Sequence, residues 1–336
     1  MMEENTAIKT NDVIGLGNAL MDLLIEVEDN KLLEFDLKKG EMHLVEEEKA
    51  KLILEKINQQ QLKIEAIPGG SSANTLKGIA LLGGNALLCG KVGNDKHGEI
   101  YVQEIEKHGV IARINKHSSI TGHALTFITP DSERTFSVHL GAAIQLKKED
   151  VLEEDIQKSK VLHLEGYQIE GPTRETLLHA IALAKKHNTL VSIDLADPGL
   201  IRRNKEFLKE LVMKHADIVF VNEKEAKEFT GLEEAEAAKE LGKHCKIAIV
   251  KIGKEGSLIY YNEVITKIPC FPAQCIDTTG AGDSYAAGFL YGYCNNWHLE
   301  KAGRLGSLLA SKVVAQKGVD LKNINGQELK REIAHD

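Results

Sequence analysis

The sequence predicts an α/β fold built on a mostly parallel central sheet, and two observations support that prediction. Short apolar segments typical of buried strands alternate with segments of about 10–15 residues that carry a helical pattern, and this alternation runs through most of the chain. Strands joined by helices pair in parallel and carry helices on both faces, which gives three layers. Two stretches, 23–67 and 121–140, break the alternation and predict a second, smaller sheet.

The elements of the predicted core follow one another in a regular order. Glycine after a helical pattern marks the end of a helix, as at Gly109, and proline ends a strand at Pro198. Predicted strands cover 85–93, 161–166, 190–198, 217–222 and 246–253. Predicted helices cover 97–109, 173–187 and 204–215, and two longer helices begin near 283 and 299.

The smaller sheet is predicted mainly from a hairpin. Residues 121–140 alternate apolar and polar side chains on either side of the turn TPDSER, which is the pattern of two antiparallel strands. Further strand patterns and a charged helix occupy 23–67. We expect a small antiparallel β-sheet that serves as a lid over the parallel core. The predicted large domain comprises 12–22, 68–112 and 141–336, and the predicted lid comprises 23–67 and 113–140.

Composition limits the classes of partner. The chain of 336 residues has 43% hydrophobic and 27% charged residues, as in globular proteins of the soluble class, and a formal net charge of -8. A nucleic-acid-binding surface would need a basic excess, so we expect no nucleic-acid partner. An acidic protein can still hold phosphates at one locally positive site.

The sequence also predicts a cytoplasmic protein without a membrane span. Its first residues lack a basic segment followed by an apolar one, and no apolar run reaches the ~20 residues that a span requires. The five cysteines, an odd number without a C-x-x-C pair, are expected to be reduced and mostly buried.

The stretch DTTGAGDSYAAGFLYGYC carries the strongest chemical signal. Gly280, Ala281 and Gly282 are small enough for backbone N–H groups to converge at the start of a helix, where the helix dipole favours an anion. Asp283 adds a carboxylate in the same turn, which would repel an anion unless it has another task. A base that takes a proton from a hydroxyl, beside N–H groups that hold a transferred anionic group, explains this pairing. An N-cap aspartate after a glycine turn is the alternative.

A second glycine turn precedes another predicted helix in IPGGSSANTLKGIALLGG. Gly69 and Gly70 form the turn, Ser71 or Ser72 is expected to cap the helix, and Asn74 lies in its first turn. This segment therefore offers a helix N-terminus where a ligand can approach Gly70 and where Asn74 can bind a hydroxyl. An ordinary capped core helix is the alternative.

The stretch VIGLGNALMD contains a Gly-x-Gly turn after an apolar strand, which raises the question of a dinucleotide site. Leu20 replaces the third glycine of that fingerprint, and the following LLIEVED has a strand pattern where a helix is required. We therefore expect that Gly15 and Gly17, which lack side chains, let a ligand approach the backbone of a core strand that continues into the lid. An oxidoreductase that uses NAD or FAD is an alternative of another class.

The two glycine turns together resemble the two signatures of the PfkB, or ribokinase-like, family of carbohydrate and nucleoside kinases. The turn before Asn74 looks like the first signature, and DTTGAGDSYAAGF looks like the second. The resemblance extends from about residue 13 to residue 318, with the motifs in the family's order. It implies a ribokinase-like three-layer α/β/α core with a β lid, and an ATP-dependent kinase that phosphorylates an alcohol.

The resemblance also implies a role for each matching residue. Asp283 matches the base that deprotonates the acceptor hydroxyl, and the glycine turn before it matches the anion hole for the transferring γ-phosphoryl group. Asn222 and Glu225 match an N-x-x-E motif that organises Mg2+ through its water shell. The remaining matches are a lid arginine that reaches phosphate and three residues beside the nucleotide: Arg134, Gly253, Gly256 and Thr278.

The resemblance favours a nucleoside as the acceptor. GNALMD resembles the first strand of the adenosine kinase branch, in which an asparagine and an aspartate four residues later hold ribose hydroxyls, and Asn18 and Asp22 have that spacing. With Gly69, Gly70 and Asn74 they would form a ribose cradle, so the 5′-OH of adenosine is the preferred acceptor. Sugar kinases of the same family (ribokinase, fructokinase or 2-keto-3-deoxygluconate kinase) and a non-catalytic nucleotide-binding regulator are the alternatives.

ATP and Mg2+ are the cofactors that this interpretation requires. A monovalent cation near Asp277 and Thr279, known in parts of the family, is a further candidate. The partner is a small nucleoside or sugar. Both a monomer and a homodimer are compatible with a lid that has exposed strand edges.

Overall fold

Two β-sheets organise the chain. The computed structural model describes residues 8–131 and 133–335, without the side chains of Met42, Arg134 and His335. The strands, in chain order, are β1 (Asn11–Leu16), β2 (Leu20–Glu26), β3 (Met42–Leu44), β4 (Glu65–Pro68), β5 (Ala86–Gly93), β6 (Ile111–His117), β7 (Gly122–Ile128), β8 (Arg134–His139), β9 (Ser159–Glu165), β10 (Leu190–Asp194), β11 (Ile218–Asn222), β12 (Ile247–Lys251), β13 (Ser257–Tyr261) and β14 (Val264–Ile268).

Helices connect most of these strands. They are α1 (Asp29–Glu34), α2 (Glu47–Gln59), α3 (Ser71–Leu81), α4 (Lys96–Lys107), α5 (Glu153–Gln157), α6 (Thr173–Lys186), α7 (Pro198–Arg203), α8 (Lys205–His215), α9 (Glu223–Thr230), α10 (Glu234–Gly242), α11 (Ala281–Cys294), α12 (Leu299–Val314) and α13 (Gly326–His335). Short 3-10 segments lie at Gly141–Gln145, Lys148–Asp150, Gly166–Ile169 and Gly253–Glu255.

The larger sheet has the strand order β14-β13-β12-β11-β10-β9-β1-β5-β6. All neighbours from β12 to β6 pair in parallel, and only β13 and β14 are added in the antiparallel direction. The predicted parallel core is therefore confirmed. One predicted strand is too long: β10 ends at Asp194, because Asp197 caps α7 by accepting a hydrogen bond from the backbone of Leu200 at 2.7 Å and Pro198 begins that helix.

Alternation along the strands sends successive side chains to opposite faces of the larger sheet, and each face has its own apolar core. On β11, Phe220 packs with the cluster under α3, α11 and α12, whereas Val219 and Val221 pack with the cluster under α6, α8 and α10. Val13 and Ile14 divide in the same way on β1. Helices therefore cover both faces, and the predicted three-layer α/β/α arrangement is confirmed.

The smaller sheet has the order β3-β8-β7-β2-β4 and is mixed, so the expectation of an antiparallel lid is only partly correct. β2 pairs with β4, and β7 with β8, in the antiparallel direction, but β2 pairs with β7 and β3 with β8 in parallel. The reason lies in the chain path. β2 and β7 each continue from a strand of the parallel sheet, β1 and β6, so they enter the lid in the same direction.

Sheet membership moves two of the expected lid boundaries. β6 pairs with β5 as far as His117, so residues 113–117 belong to the larger sheet. At the other boundary β2 already joins the lid sheet at Leu20. The division into a large domain and a lid is still a prediction. The chain passes from the larger sheet to the lid sheet at 17–19 and again at 118–121.

Small residues bring two helices close enough to share a site. A Cβ atom on Gly78 of α3 would lie 2.6 Å from the Cβ of Ala287 on α11, and one on Gly288 would lie 2.6 Å from the backbone of Gly306 on α12. The first approach allows α3 and α11 to pack with their N-terminal ends side by side, and the second packs α12 against α11.

The cysteines differ from expectation at two positions. None of the five forms a disulfide, and Cys89 and Cys294 are buried, but Cys270 and Cys275 are exposed. Both exposed thiols lie in the segment between β14 and α11, which has no regular secondary structure and lies at the surface. No helix among the described residues has both the length and the apolar character that crossing a membrane requires.

Candidate active site

Asp283 lies where the N-termini of α3 and α11 meet. α11 begins after Gly280, whose φ of 74° is left-handed and whose Cα faces Val319 so closely that a Cβ would be 2.2 Å from Cγ2. The hydroxyl of Ser71 donates to Asp283 Oδ1 at 2.5 Å, and the amide of Asn74 donates to Oδ2 at 3.0 Å. Both donors come from the first turn of α3, so one helix holds the carboxylate of the other.

The electrostatic surroundings of Asp283 suit a base. Burial raises the pKa of Asp283, the hydrogen bonds from Ser71 and Asn74 work against that rise, and the negative charge of Asp194 adds to it. The net direction is upward from the ordinary value of 3.8. A carboxylate with a raised pKa accepts a proton more readily than a surface aspartate does.

The structure corrects the expected roles in the first glycine turn. Neither serine caps α3; Gly70 occupies the N-cap position with a φ of 91°, and Ser71 is the first helical residue. The amide nitrogen of Asn74 binds Asp283, while its Oδ1 is buried without a hydrogen-bond partner. Asn74 therefore positions the carboxylate and keeps one acceptor atom for a ligand.

A cavity of about 110 Å³ lies between the lid sheet and these helix ends. Asp22 and Asn74 line it on one side, and a segment that includes Asp277 and Thr279 lines it on the other. The rest of the lining consists of Leu24, Ile67, Pro68, Ala124, Thr126, Phe136, Lys317, Gly318 and Val319. The even-numbered positions of β2 and β7 thus face the cavity, while their odd-numbered neighbours are buried in the core of the lid.

Asp22 is the carboxylate on the lid side of the cavity. Gly69 permits its position, because a Cβ atom on Gly69 would lie 2.2 Å from Asp22 Oδ2. Burial raises the pKa of Asp22 to about 6, although the ammonium of Lys77 works in the other direction. Lys77 is itself buried, donates to the carbonyl of Pro68 at 2.9 Å, and has its pKa lowered by burial to about 8. The sequence had not singled out Lys77.

The other glycines of this region serve packing. Cβ atoms on Gly15 and Gly17 would each lie 2.5 Å from the side chain of Ser72. The missing side chains at these two glycines therefore make room for α3 to pack against β1, and they do not make room for a ligand. A Cβ on Gly70 would lie 2.4 Å from the carbonyl oxygen of Asn18. The side chain of Asn18 is half-buried and does not belong to the cavity lining.

Polar residues end four neighbouring strands of the larger sheet. Glu165, Asp194, Asn222 and Lys251 are the last residues of β9, β10, β11 and β12, and the register pairs Glu165 with Asp194 and Asn222 with Lys251. The carboxyl ends of parallel strands are where open α/β sheets bind ligands. Of these four residues, the sequence had singled out Asn222, through the N-x-x-E match.

Glu165 and Lys251 are additional residues of this edge. Glu165 is 2% exposed, its Oε1 has no hydrogen-bond partner, and burial raises its pKa well above the ordinary value. Lys251 Nζ forms an ion pair with Asp194 Oδ2 at 2.7 Å. The sequence signal that could have found Glu165 and Lys251 is that each ends a stretch of mostly apolar residues, as Asp194 does.

Asn222 and Glu225 form a closed capping box at the start of α9. Asn222 donates to Glu225 through its backbone at 2.7 Å and through its amide at 2.5 Å, and Asn222 Oδ1 accepts from the backbone of Glu225 at 2.9 Å. Burial, together with Asp194, raises the pKa of Glu225. The residues described contain no group of three or more His, Cys, Asp or Glu side chains placed to hold a metal.

Asn222 and Glu225 therefore fit Mg2+ only as a hydrated ion that is also bound by substrate phosphates. Carboxylate and amide oxygens are the donors that Mg2+ prefers, and Mg2+ usually retains several waters and binds substrate phosphates. Asn222 and Glu225 stand at the correct edge of the sheet for a hydrated ion of this kind. They do not provide a cage made by the protein alone.

The residues predicted to border the nucleotide lie in different surroundings. Gly256 has a φ of 96°, and its Cβ would lie 1.9 Å from the carbonyl oxygen of Ile268, so packing against β14 explains this glycine. Gly253 faces open space. Thr278 is exposed, and its carbonyl accepts from the backbone of Ala281 at 3.2 Å. The side chain of Arg134 lies outside the described part of the structure, so its expected reach to phosphate is still a prediction.

Comparison with known proteins identifies the family. Residues 33–325 match the family described as "pfkB family carbohydrate kinase". The chain belongs to the pfkB family. It is accordingly a kinase, a phosphotransferase that acts on an alcohol group, and the alternative of a dinucleotide-dependent oxidoreductase was wrong. The structure agrees, because the Gly-x-Gly turn leads into β2 and not into a helix.

Relatives within the pfkB family carry names of two kinds. The 5-dehydro-2-deoxygluconokinase of Geobacillus kaustophilus is 32% identical over 263 residues, which cover 74% of this chain and 78% of that protein. The adenosine kinase of Sinorhizobium meliloti has 32% identity and a TM-score of 0.84, with 96% of this chain and 99% of that chain covered. A probable sugar kinase of Rhizobium etli has 30% identity and a TM-score of 0.85, with 97% and 99% covered. These structures also confirm the ribokinase-like fold.

Proposed function

We propose that this pfkB family kinase transfers the γ-phosphoryl group of ATP to a primary hydroxyl, with the 5′-OH of adenosine as the preferred acceptor. One observation carries the proposal. Asp283, with a raised pKa, is held by Ser71 and Asn74 at the N-terminus of α11, beside the cavity that Asp22 lines. A base, an anion-binding helix end and a hydroxyl-binding carboxylate are the parts that phosphoryl transfer to an alcohol needs.

In the proposed reaction the acceptor binds with its ring hydroxyls on Asp22 and its primary hydroxyl toward Asp283. The hydroxyl oxygen attacks the γ-phosphorus, its proton passes to Asp283, and the bond from the γ-phosphorus to the bridging oxygen breaks to release ADP. The backbone N–H of Ala281 already donates to the carbonyl of Thr278, so the N–H groups of Gly280, Gly282 and Asp283 are the ones proposed to face the transferred group and stabilise its negative charge. Closure of the lid sheet over the cavity excludes water and so suppresses hydrolysis of ATP.

Mg2+ bound with ATP would neutralise part of the phosphate charge. Asn222 and Glu225 would hold its water shell, since both lie at the carboxyl edge of the larger sheet. Asp194 and Lys251 occupy the neighbouring strand ends. A monovalent cation near Asp277 and Thr279 is a further candidate, and the loop there is organised by Asp277, whose Oδ2 accepts from the backbone of Gly318 at 2.9 Å.

The cavity lining favours a nucleoside over a simple sugar. Leu24, Ile67, Ala124 and Phe136 form an apolar wall on the lid side, and a flat heteroaromatic base can pack against such a wall. A free pentose or hexose carries hydroxyls on most of its carbons and would leave that wall unused. The similarity to the adenosine kinase of Sinorhizobium meliloti points the same way.

A sugar acid is the second candidate acceptor, and two observations favour it. The curated relatives are named 5-dehydro-2-deoxygluconokinase, and Lys317 places a cation in the cavity lining. An ammonium group suits the carboxylate of a sugar acid, whereas adenosine is neutral and has no group that requires it.

An acceptor panel tests the proposal. The panel contains adenosine, inosine, ribose, fructose, 2-keto-3-deoxygluconate and 5-dehydro-2-deoxygluconate, with ATP and Mg2+, and ADP formation is followed by a coupled assay. We expect adenosine to give the highest kcat/KM. Preferred turnover of a sugar or sugar acid would contradict the nucleoside assignment and leave the kinase assignment intact.

Two cavity variants sharpen this panel. Phe136→Ala should lower kcat/KM for adenosine more than for sugars, while Lys317→Met should lower it only for sugar acids. Absence of ADP formation with every acceptor of the panel would favour the regulator that binds nucleotide without catalysis.

A further inference from the structure

Lys251 lies against the helix end that receives the transferred phosphoryl group. A Cβ atom on Gly282 would lie 3.0 Å from Lys251 Nζ, so the absence of a side chain at Gly282 makes room for the ammonium. The side chain of Lys251 is 15% exposed, which leaves a small opening at the carboxyl edge of the sheet. The second residue of α11 and the last residue of β12 thus face the same space.

The charge around Lys251 is unusual for a buried lysine. Its Nζ pairs with Asp194 Oδ2 at 2.7 Å, and Glu225 and Asp283 are the other carboxylates that face it. Although burial works to lower it, the attraction of Asp194 and Glu225 raises the pKa of Lys251 above its ordinary value. The ammonium is therefore kept charged at the point where the phosphates of ATP would bring further negative charge.

We propose that Lys251 is a phosphate-binding catalytic residue of this kinase, whose ammonium contacts the β- and γ-phosphoryl oxygens of ATP. This inference rests on the proposed function. In the transfer step Lys251 donates hydrogen bonds to non-bridging oxygens and keeps its protons, while Asp283 takes the acceptor proton. The ion pair with Asp194 fixes the direction of the ammonium before ATP binds, so little reorganisation is needed.

This arrangement also explains how carboxylates and phosphates can share one edge of the sheet. Asp194, Glu225 and Asp283 would repel a nucleotide triphosphate if nothing compensated them. The helix end offers partial positive charge from its N–H groups. A full positive charge directly beside Gly282 adds to that field.

The test measures binding of a non-hydrolysable ATP analogue with Mg2+ by calorimetry, together with steady-state kinetics. Lys251→Met is compared with Lys251→Arg and with Lys246→Met. Lys246 precedes β12 at the far end of the strand, where its side chain is 62% exposed and pairs with Asp217. Thermal unfolding and circular dichroism of each variant establish that it is folded.

We expect Lys251→Met to weaken analogue binding about 10- to 100-fold, the range for a lost hydrogen bond to a charged group. We expect kcat to fall about 10²- to 10³-fold, acceptor affinity to stay within about twofold, and Lys251→Arg to restore part of both losses because it keeps the charge. Lys246→Met should behave as wild type.

Unchanged analogue binding and turnover in folded Lys251→Met would overturn the proposal. So would equal losses of analogue and acceptor affinity with a lower melting temperature, since that pattern means a structural role only. If Lys251→Met does not fold, Lys251→Gln, which loses the charge but still donates hydrogen bonds, replaces it under the same criteria. Analogue binding does not depend on the acceptor, so failure of the acceptor panel would leave this test standing.

Discussion

Ser71 and Asp283 are separated by 212 positions in the sequence, yet the hydroxyl of Ser71 donates to Asp283 Oδ1 at 2.5 Å. The contact joins the first turns of α3 and α11, and Asn74 adds a second hydrogen bond from the same turn. The candidate base is therefore held by a helix whose own N-terminal end lies beside the acceptor cavity. Its position depends on the packing of α3 against α11 as much as on the local glycine turn.

Replacing Asp283 tests its role as the base. Asp283→Asn should lower kcat about 10²- to 10⁴-fold, because the amide cannot accept the acceptor proton. Asp36→Asn is the matched control: its side chain is 92% exposed, and asparagine tolerates the φ of 53° at this position. A coupled ADP assay measures both variants. Near-normal turnover in Asp283→Asn would exclude Asp283 as the base.

Two neighbouring serines give a matched pair for the hydrogen bond to the base. Because the hydrogen bond from Ser71 lowers the pKa of Asp283, Ser71→Ala should raise that pKa and move the acidic limb of the kcat–pH profile to higher pH. Ser72→Ala removes a buried hydroxyl that has no partner, so it should change neither the profile nor, by more than about 1 kcal/mol, the free energy of unfolding. Identical pH profiles for both variants would argue against the first assignment.

The pKa of Asp22 predicts a pH dependence of acceptor binding. Its carboxylate must be ionised to accept hydrogen bonds from two hydroxyls, and burial has raised its pKa to about 6. As the pH falls through about 6 the group becomes protonated, so KM for the acceptor should rise. Asp22→Asn should raise KM above about pH 6, where the wild-type carboxylate is ionised, and remove this dependence from KM, while the acidic limb of kcat, assigned to Asp283, stays. A KM–pH profile that is the same in both proteins would contradict this role.

Glu225 can be separated from its structural role in the capping box. Glutamine also serves at the third position of a capping box, so Glu225→Gln should leave the melting temperature nearly unchanged. It should raise the Mg2+ concentration needed for half-maximal activity, because the charge near the ion is lost. Asn222→Ala instead removes the cap and should cost about 0.5–2 kcal/mol of stability. Mg2+ titrations that coincide for wild type and Glu225→Gln would refute the assignment.

The two glycines after β12 should respond differently to alanine. Gly256→Ala should be strongly destabilising, because its Cβ would lie 1.9 Å from a backbone oxygen at a φ of 96°. Gly253→Ala meets only open space at a φ of 54°, so it should cost about 1–2 kcal/mol, the penalty of a left-handed alanine. Urea unfolding measures both. Equal losses would mean that the close approach at Gly256 relaxes without cost.

Features coded by neighbouring residues were predictable from the sequence. The strand–helix alternation predicted the parallel core, and the glycine turn before Asp283 predicted the start of the helix that carries it. The N-x-x-E spacing coincides with the start of α9, where Asn222 is the N-cap, whereas its expected link to Mg2+ is still a prediction. Each of these depends on a few adjacent residues whose backbone preferences point the same way.

Features that depend on register or on distant packing were not predictable. Ser71 looked like a helix cap because nothing in its neighbourhood indicated a partner in α11. Gly15 and Gly17 looked like ligand contacts, whereas Ser72 of α3 occupies the space beside them. Lys251 joins Asp194 only because the sheet register brings the ends of β10 and β12 to the same edge. The mixed direction of the lid follows from a chain path that residue patterns do not encode.

The parallel pairing of β2 with β7 has a consequence for biosynthesis. β2 (Leu20–Glu26) leaves the ribosome about a hundred residues before β7 (Gly122–Ile128), its partner in the lid sheet. At about 5–20 residues per second that interval lasts roughly 5–20 seconds. During this time β4 can pair with one edge of β2, while the backbone groups of the other edge remain without their partner β7. The nascent chain is therefore most exposed to aggregation while β2 has been synthesised and its parallel partner β7 has not.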